Sequence, residues 1–445
     1  MEKEKDIMTA VKIREKNGIS FFHIHSEKFK TISLNVIFAT GLDKKRATIN
    51  ALIPHILKRG CKNYPGQMEL AIRLEELYGA DMSVSVGKKG ETQLIRFRTG
   101  FVSDRFTADR TRLFEEASDL LLEVITKPML DNGSFKKEYF DQERENLIQR
   151  IRSRVNNKMS YAISRCMEEM CKGEPFEVYE DGDEETAKAL TVADLMETYN
   201  DILEKYPAFV YISGDVSEKE LNGFADKFDS INRHNIKPLE KPQVDKKRNE
   251  PLRIEEPMDV SQGKLCVGLR TQIGADSPDY FPLAIYNGIL GGGVHSKLFR
   301  NVREKESLAY SAFSMLEKYK GLLVACCGID IANREKAEGI ILDQIEAIKK
   351  GDISDAEMES TRKSFETGLN IMQDSQEGMV DFYLSRHLAG IDENINEFYE
   401  NLMSVGKEDV IRISEKITPD TIYFLTSLHA GNAERSGDTD ENNRV

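Results

Sequence analysis

Leu290-Gly291-Gly292-Gly293, Ser296-Lys297-Leu298-Phe299, Val302-Arg303-Glu304-Lys305 and Leu308-Ala309-Tyr310 follow one another in the second half of this 445-residue chain. The block is long, ordered and hard to obtain by chance. An apolar run around Phe281 to Leu290 reads as a helix that closes on the glycines. The glycine run lacks the rest of a P-loop or dinucleotide signature, so a flexible or tightly turned segment after a helix fits it better than phosphate binding. Arg303 and Tyr310 are the chemistry-bearing residues here. A guanidinium fork and a phenol can both donate to a peptide oxygen, which matters where charge develops on that oxygen. The plainer alternative makes Arg303 a helix-terminal ion pair with a neighbouring Glu, and Tyr310 an ordinary strand residue.

A second stretch answers the first from upstream: Ile49-Asn50-Ala51-Leu52-Ile53-Pro54-His55-Ile56-Leu57-Lys58-Arg59-Gly60. A hydrolytic zinc site on a helix needs two His one turn apart, with a Glu before the second as general base. Here His55 stands at the second position, but Ala51 and Pro54 stand at the other two. Of the other histidines, His23 and His25 alternate on an expected strand and face one side, as a surface pair does. His295 follows the glycines and is a weak candidate for a cleft wall.

Around these stretches the chain reads as two copies of one plan. Each opens on a β-rich segment, Ser33 to Phe38 and Lys264 to Leu269, followed by a helix around Ala51 to Leu57 or Phe281 to Leu290. Each ends with a helix and a strand: Val192 to Leu203 then Ala208 to Ser213, and Val410 to Ile417 then Thr421 to Leu425. Long charged helices, Phe114 to Thr126 and Glu357 to Met372, lie between. This order predicts an α+β fold of two homologous halves, each a mostly antiparallel sheet with helices packed on it. The expected domains are 1–235, then a charged, Pro-containing linker at 236–252, then 253–430, with a disordered polar tail over 431–445.

Composition narrows the classes. The length calls for more than one core, and a 40% hydrophobic share is ordinary for a globular chain. With a net charge of −14 and no basic cluster free of acidic neighbours, nucleic acid is not an expected partner. The six cysteines (Cys61, Cys166, Cys171, Cys266, Cys326, Cys327) follow no framework spacing, which favours reduced thiols, with Cys326 and Cys327 on opposite faces of a strand. No apolar run follows Met1-Glu2-Lys3-Glu4-Lys5-Asp6, and none elsewhere is long enough to span a bilayer. The expectation is a cytoplasmic protein with no membrane partner.

The whole, from about Ile19 to Ser427, resembles the pitrilysin/insulinase family of zinc peptidases, in the short form of mitochondrial processing peptidase and its bacterial relatives. The resemblance implies that Arg303 and Tyr310 bind the substrate backbone and stabilise the reacting carbonyl. It aligns Ala39-Thr40-Gly41-Leu42-Asp43 with the family's Gly-containing strand end, and Arg59-Gly60 with its Lys-Gly. It sets the H-x-x-E-H motif on Ala51 to His55 and the third ligand, from a Glu-rich helix like Glu143 to Ile151, on Arg150. The two His/Glu departures at Ala51 and Pro54 and the guanidinium of Arg150 then leave no zinc set in this chain, since zinc wants three deprotonated donors. Glu143 and Glu145 remain as isolated donors. In family members built from two short chains, one carries zinc and the other can contribute an Arg/Tyr pair. The resemblance therefore implies a non-catalytic, substrate-binding subunit of a heterodimeric zinc endopeptidase. Its partners would be a peptide or unfolded segment and a zinc-binding catalytic paralogue that holds the metal this chain lacks. A metal-free scaffold or peptide-holding protein is the rival reading, and a self-sufficient peptidase with an unrelated metal site a third.

Overall fold

A computed structural model describes residues 9–107 and 112–428; the tail expected over 431–445 lies outside the described residues. The first half of the chain runs β1 (Ala10–Lys16), β2 (Ile19–His25), β3 (Thr31–Gly41), α1 (Lys44–Leu57), α2 (Gln67–Glu76), β4 (Asp81–Lys89), β5 (Thr92–Val102) and α3 (Leu113–Thr126). A two-residue hairpin of β6 (Leu130–Asp131) and β7 (Ser134–Phe135) leads to α4 (Lys137–Ser153), α5 (Lys158–Met170), α6 (Glu184–Ala189), α7 (Val192–Lys205), β8 (Ala208–Gly214) and α8 (Glu218–Asp229). The second half runs β9 (Leu252–Met258), β10 (Gly263–Arg270), α9 (Tyr280–Gly291), β11 (Ala309–Glu317), β12 (Leu322–Ile329), α10 (Arg334–Lys349), α11 (Asp355–Gln373), α12 (Gln376–Leu388), α13 (Ile395–Ser404), α14 (Lys407–Ser414) and β13 (Thr418–Ser427).

Two sheets organise these elements, with strand orders β1-β2-β8-β3-β5-β4 and β11-β12-β10-β13-β9. Read from the other end, the second is the first without its outermost strand. The correspondence extends to direction: the only parallel pairs among the named strands are β2 with β8 and β9 with β13. The repeat read from the sequence is thus a repeat of topology, and the α+β, mostly antiparallel expectation holds.

Side chains alternate across each sheet and both faces are apolar. In the first sheet Phe21, Leu34, Val36, Phe38 and Phe97 pack with α1, α3, α7 and α8, whereas Phe22, Ile24, Ile37 and Tyr211 pack with Met379, Val380, Tyr383 and Leu384 of α12. In the second, Leu265, Val267, Leu323, Ala325, Cys327 and Phe424 face α9, α10 and α14. Cys266, Val324, Cys326, Tyr423 and Leu425 face Ala162, Ile163, Cys166 and Met170 of α5. Cys326 and Cys327 do take opposite faces, and all six cysteines are free and buried.

The compact units therefore do not follow chain order. One comprises Met1–Arg154, Val178–Lys241 and Leu369–Glu397; the other comprises Val155–Glu177, Pro242–Gly368 and Phe398–Val445. The charged stretch read as a linker is divided between them, and its second part is fastened to its own unit. Glu174, Arg270, Lys320 and Asp420 form a buried quartet, with Arg270 Nη2 3.0 Å from Glu174 Oε1, Lys320 Nζ 2.6 Å from Glu174 Oε2 and Arg270 Nε 3.3 Å from Asp420 Oδ2. Onto it come Lys246, 3.3 Å from Glu174, and Arg248, 3.6 Å from Asp420, while Lys320 also donates to Gln243 O at 2.9 Å. Val244 fills the space beside Gly321. A Pro-punctuated, apolar-poor segment is thereby held by charge where it has little to bury.

Removing one member of a buried charge network costs roughly 3–5 kcal/mol, because the remaining charges lose their compensation. Glu174→Gln is expected to lower the thermal midpoint and to expose Lys246-Lys247-Arg248 to trypsin in the native protein. Limited proteolysis of wild type and variant would check it; equal cleavage rates at these bonds would refute the strap.

Candidate functional site: a degenerate metal helix and an aromatic-flanked arginine

α1 begins at Asp43, whose carboxylate accepts from the Arg46 N–H at 2.9 Å, and is buried on nearly every side from Ala47 to Leu57. Pro54 lies inside it. A proline there removes one helix hydrogen bond, tolerable where neighbouring elements hold the helix in place. Of its last three turns only His55 is half-exposed, and it looks toward α4. The structure brings Ala51, His55 and Arg150 together. Arg150 Nη2 donates to the Ala51 carbonyl at 3.3 Å and stands 3.7 Å from Asp181 Oδ1. Burial raises the Asp181 carboxyl above its ordinary range, against the pull of Arg150. Burial, then the Arg150 charge, pushes His55 down to about 4, so the imidazole is neutral.

The two remaining acidic candidates are engaged elsewhere. Glu143 accepts from Arg59 Nε at 2.5 Å and from Asn146 Nδ2 at 3.2 Å. Glu145 is exposed and accepts from Gln149 at 3.0 Å. Among the described residues no group of three or more His, Cys, Asp or Glu could hold a metal ion. The donor set does not fit zinc: one imidazole faces a fixed positive charge that already links α1, α4 and the segment carrying Asp181. His23 and His25 do lie close, ring centroids 5.6 Å apart, but His23 donates to Gly214 O at 3.0 Å and His25 is exposed.

In the other unit the glycine-rich block packs α9 tightly. A Cβ on Gly291 would lie 2.1 Å from Ser314 N of β11, and one on Gly288 2.4 Å from the Thr361 methyl of α11. Gly291, Gly292 and Gly293 have no positive φ. Gly291 serves close approach of helix to strand, and the chain turns directly after it over Gly292 to His295, with Ser296 N–H donating to Gly293 O at 3.0 Å, in keeping with the tight turn expected after the helix. His295 donates or accepts with Thr361 Oγ1 at 3.0 Å and is turned to that contact.

Phe299–Lys305 then forms a wide helical turn of the i→i+5 kind, a geometry frequent at functional sites. Lys297 anchors its start through a buried pair with Glu357 at 3.1 Å, and Asn301 donates to Gln344 at 2.9 Å. Ser307 leaves the turn with φ +52, a left-handed conformation uncommon for a residue with a side chain. The β11–β12 register slips between Ala309 and Ser311, so Tyr310 is the extra residue of a bulge. Bulge and turn together bring Tyr310 to Arg303. The guanidinium carbon lies 5.3 Å from the Tyr310 ring centroid and 4.6 Å from that of Phe299. Tyr310 is 83% exposed, and Arg303 makes no ion pair among the described residues, contrary to the plainer alternative of a helix-terminal pair. Phe299, four residues before Arg303, was readable from spacing as a helical neighbour; the bulge and the Ser307 turn carry no sequence signal.

Two expectations follow for His55 of α1, the first shared with His387 of α12. His55 and His387, the latter also lowered to about 4 by burial, are favoured neutral by the fold. Their pKa values lie below the ordinary 6.5, so the stability they contribute is complete above pH 6.5 and is lost as pH falls from 6.5 to about 4. After allowance for solvent screening the loss is on the order of 2 kcal/mol per histidine. Urea midpoints at pH 7 and pH 5 measure it, and His55→Gln should flatten the profile; superimposable profiles would exclude His55 as a contributor. Arg150→Met, by removing the opposing charge, should raise the His55 pKa in an NMR titration and destabilise by about 2 kcal/mol through the unpaired Asp181 and Ala51 carbonyl.

Comparison with known proteins agrees with this picture. A family model described as the peptidase M16 inactive domain matches residues 189–365. The chain is 37% identical over 408 residues, 92% of this chain and 96% of the relative, to a protein of Bacillus subtilis (strain 168) described as probable inactive metalloprotease YmfF. It is 20% identical, over 94% of this chain and 97% of the relative, to the uncharacterized zinc protease YmxG of the same organism. A solved structure of a conserved protein from Enterococcus faecalis V583 superposes with a TM-score of 0.87 at 29% identity, covering 94% of this chain and 99% of that one. With the H-x-x-E-H positions held by Ala51, Pro54 and His55, this chain belongs to the M16 (pitrilysin/insulinase) peptidase family, as one of its inactive, non-catalytic members.

Proposed function

We propose that this chain is the substrate-holding subunit of a two-chain zinc endopeptidase, its partner being a zinc-binding paralogue that supplies the metal and the Glu base. In this reading the N-terminal domain, 1–235, carries the degenerate motif at Ala51, Pro54, His55 and Arg150 and serves as wall. The domain at 253–430 contributes Arg303 and Tyr310 toward a peptide or unfolded segment, and the protein works in the cytoplasm. The observation that carries the reading is the contrast between the two motifs. The metal helix is closed off by a guanidinium, whereas Arg303 and Tyr310 stay exposed, mutually stacked and without a counter-ion among the described residues. Support also comes from Bacillus subtilis, which has both an inactive-type and a zinc-protease-type relative of this chain. Six buried free thiols suit a reducing compartment.

The second reading, a metal-free protein that holds peptides or acts as scaffold, is favoured by the description of YmfF as inactive. Native mass spectrometry of the tagged chain, isolated gently from its host, separates the two. A second chain of similar mass with one zinc supports the peptidase subunit; a metal-free monomer or homodimer supports the holder. In the zinc-containing complex Arg303→Ala should lower peptide turnover roughly tenfold to a hundredfold, the cost of losing one charged donor to the held peptide. An unchanged rate in a correctly assembled mutant would remove Arg303 from the site.

A further inference from the structure

Among the described arginines of its unit, Arg303 is one of three that meet no carboxylate, and of these Arg362 spends its guanidinium on Val405 O at 2.6 Å. Arg165, Arg253, Arg270, Arg334 and Arg412 each meet a carboxylate. Arg303 and Arg300 do not, although Glu304 and Glu306 are close in sequence. Glu306 is drawn away by Lys336 at 2.7 Å. In a chain of net charge −14, the Phe299–Lys305 turn therefore presents Arg300, Arg303 and Lys305 as a locally cationic surface.

The aromatic neighbours decide what this cation can take. Rings on a guanidinium orient the group while leaving its in-plane N–H fork open. A peptide carbonyl uses one donor of such a fork; a carboxylate uses two in parallel, with the charge matched as well. A metal-dependent partner would present the scissile carbonyl to Arg303 only transiently. An anchored, counter-ion-free fork has its better match in an anion that is already present on the ligand.

Resting on the reading of Arg303 and Tyr310 as a peptide-holding pair, we propose that Arg303, oriented by Phe299 and assisted by the Tyr310 hydroxyl, binds a carboxylate of the held peptide. Two sources share this chemistry, the free C-terminus and an Asp or Glu side chain. The experiment uses the full chain as isolated from its host, with a zinc chelator present to stop any hydrolysis. Fluorescence anisotropy compares three labelled peptides of one sequence: the free acid without acidic residues, its C-terminal amide, and the amide with one Asp.

The free acid should bind at least tenfold more tightly than the plain amide, the factor expected of one charge-assisted bidentate contact. Arg303→Lys, which keeps the charge and loses the fork, should abolish most of that difference, and Phe299→Leu part of it. Recovery of affinity by the Asp-bearing amide assigns the site to carboxylates of either origin; no recovery assigns it to the terminus. Equal binding of acid and amide, both lost in Arg303→Ala, would overturn the carboxylate inference and leave the holding role standing. Binding of all three peptides that ignores every Arg303 substitution would overturn both.

Discussion

A sheet that is apolar on both faces has to be covered on both. In each unit of this protein the helices that follow the strands in sequence cover one face only. The second face of the first sheet is closed by α12 and that of the second by α5, so each half of the chain supplies a helix to the unit built mainly by the other half. Everything else is subordinate to this exchange. It fixes why the units are discontinuous, why Cys166, Cys266 and Cys326 meet in one buried layer, and why the intervening segment 242–248 is bound by charge. The buried side chains involved are large enough that exposing either face would cost far more than the net stability of an ordinary domain.

Within that frame the metal helix has been kept and its metal replaced. A zinc ion would draw side chains of two helices to one point; Arg150 does comparable mechanical work with a hydrogen bond to a main-chain carbonyl and an ion pair with a neighbouring carboxylate. The exchange has an electrostatic consequence. Zinc needs negative or neutral donors around it, whereas burial, reinforced by a guanidinium at that place, keeps His55 neutral, and the guanidinium's fixed charge opposes a cation beside it. Loss of catalysis and retention of fold are thus one substitution pattern seen from two sides.

Much of the fold was legible because it rests on periodicity. The strands at Ser33 to Phe38 and Lys264 to Leu269, and the helices at Val192 and Phe281, announce themselves by alternation and by three-four spacing. The exchange of α5 and α12 was not. An apolar stripe such as Ala162, Ile163, Cys166 and Met170 says that a helix is covered, but not by which sheet. Gly288 and Gly291 were visible as glycines, yet their work is a long-range contact with Thr361 and Ser314. At the Arg303 site the residue types were readable in order. Their meeting depends on a left-handed serine and a one-residue bulge, which are backbone choices with no compositional mark.

The exchange also orders events during synthesis. The six strands of the first sheet have all left the ribosome once Gly214 is out, but α12 follows only after β9 to β12 and the four helices α8 to α11. At ordinary elongation rates that interval is on the order of ten seconds or more, long on the scale of aggregation and collapse. The waiting face is not uniformly greasy. Ser33, Asn35, Arg96 and Arg98 interrupt it, and once α12 arrives Ser33 and Asn35 donate to Glu377 at 2.5 and 3.3 Å, with Arg98 Nε at 2.8 Å. These groups keep the nascent surface hydrated until its lid is made, and then become the code by which that lid finds its register.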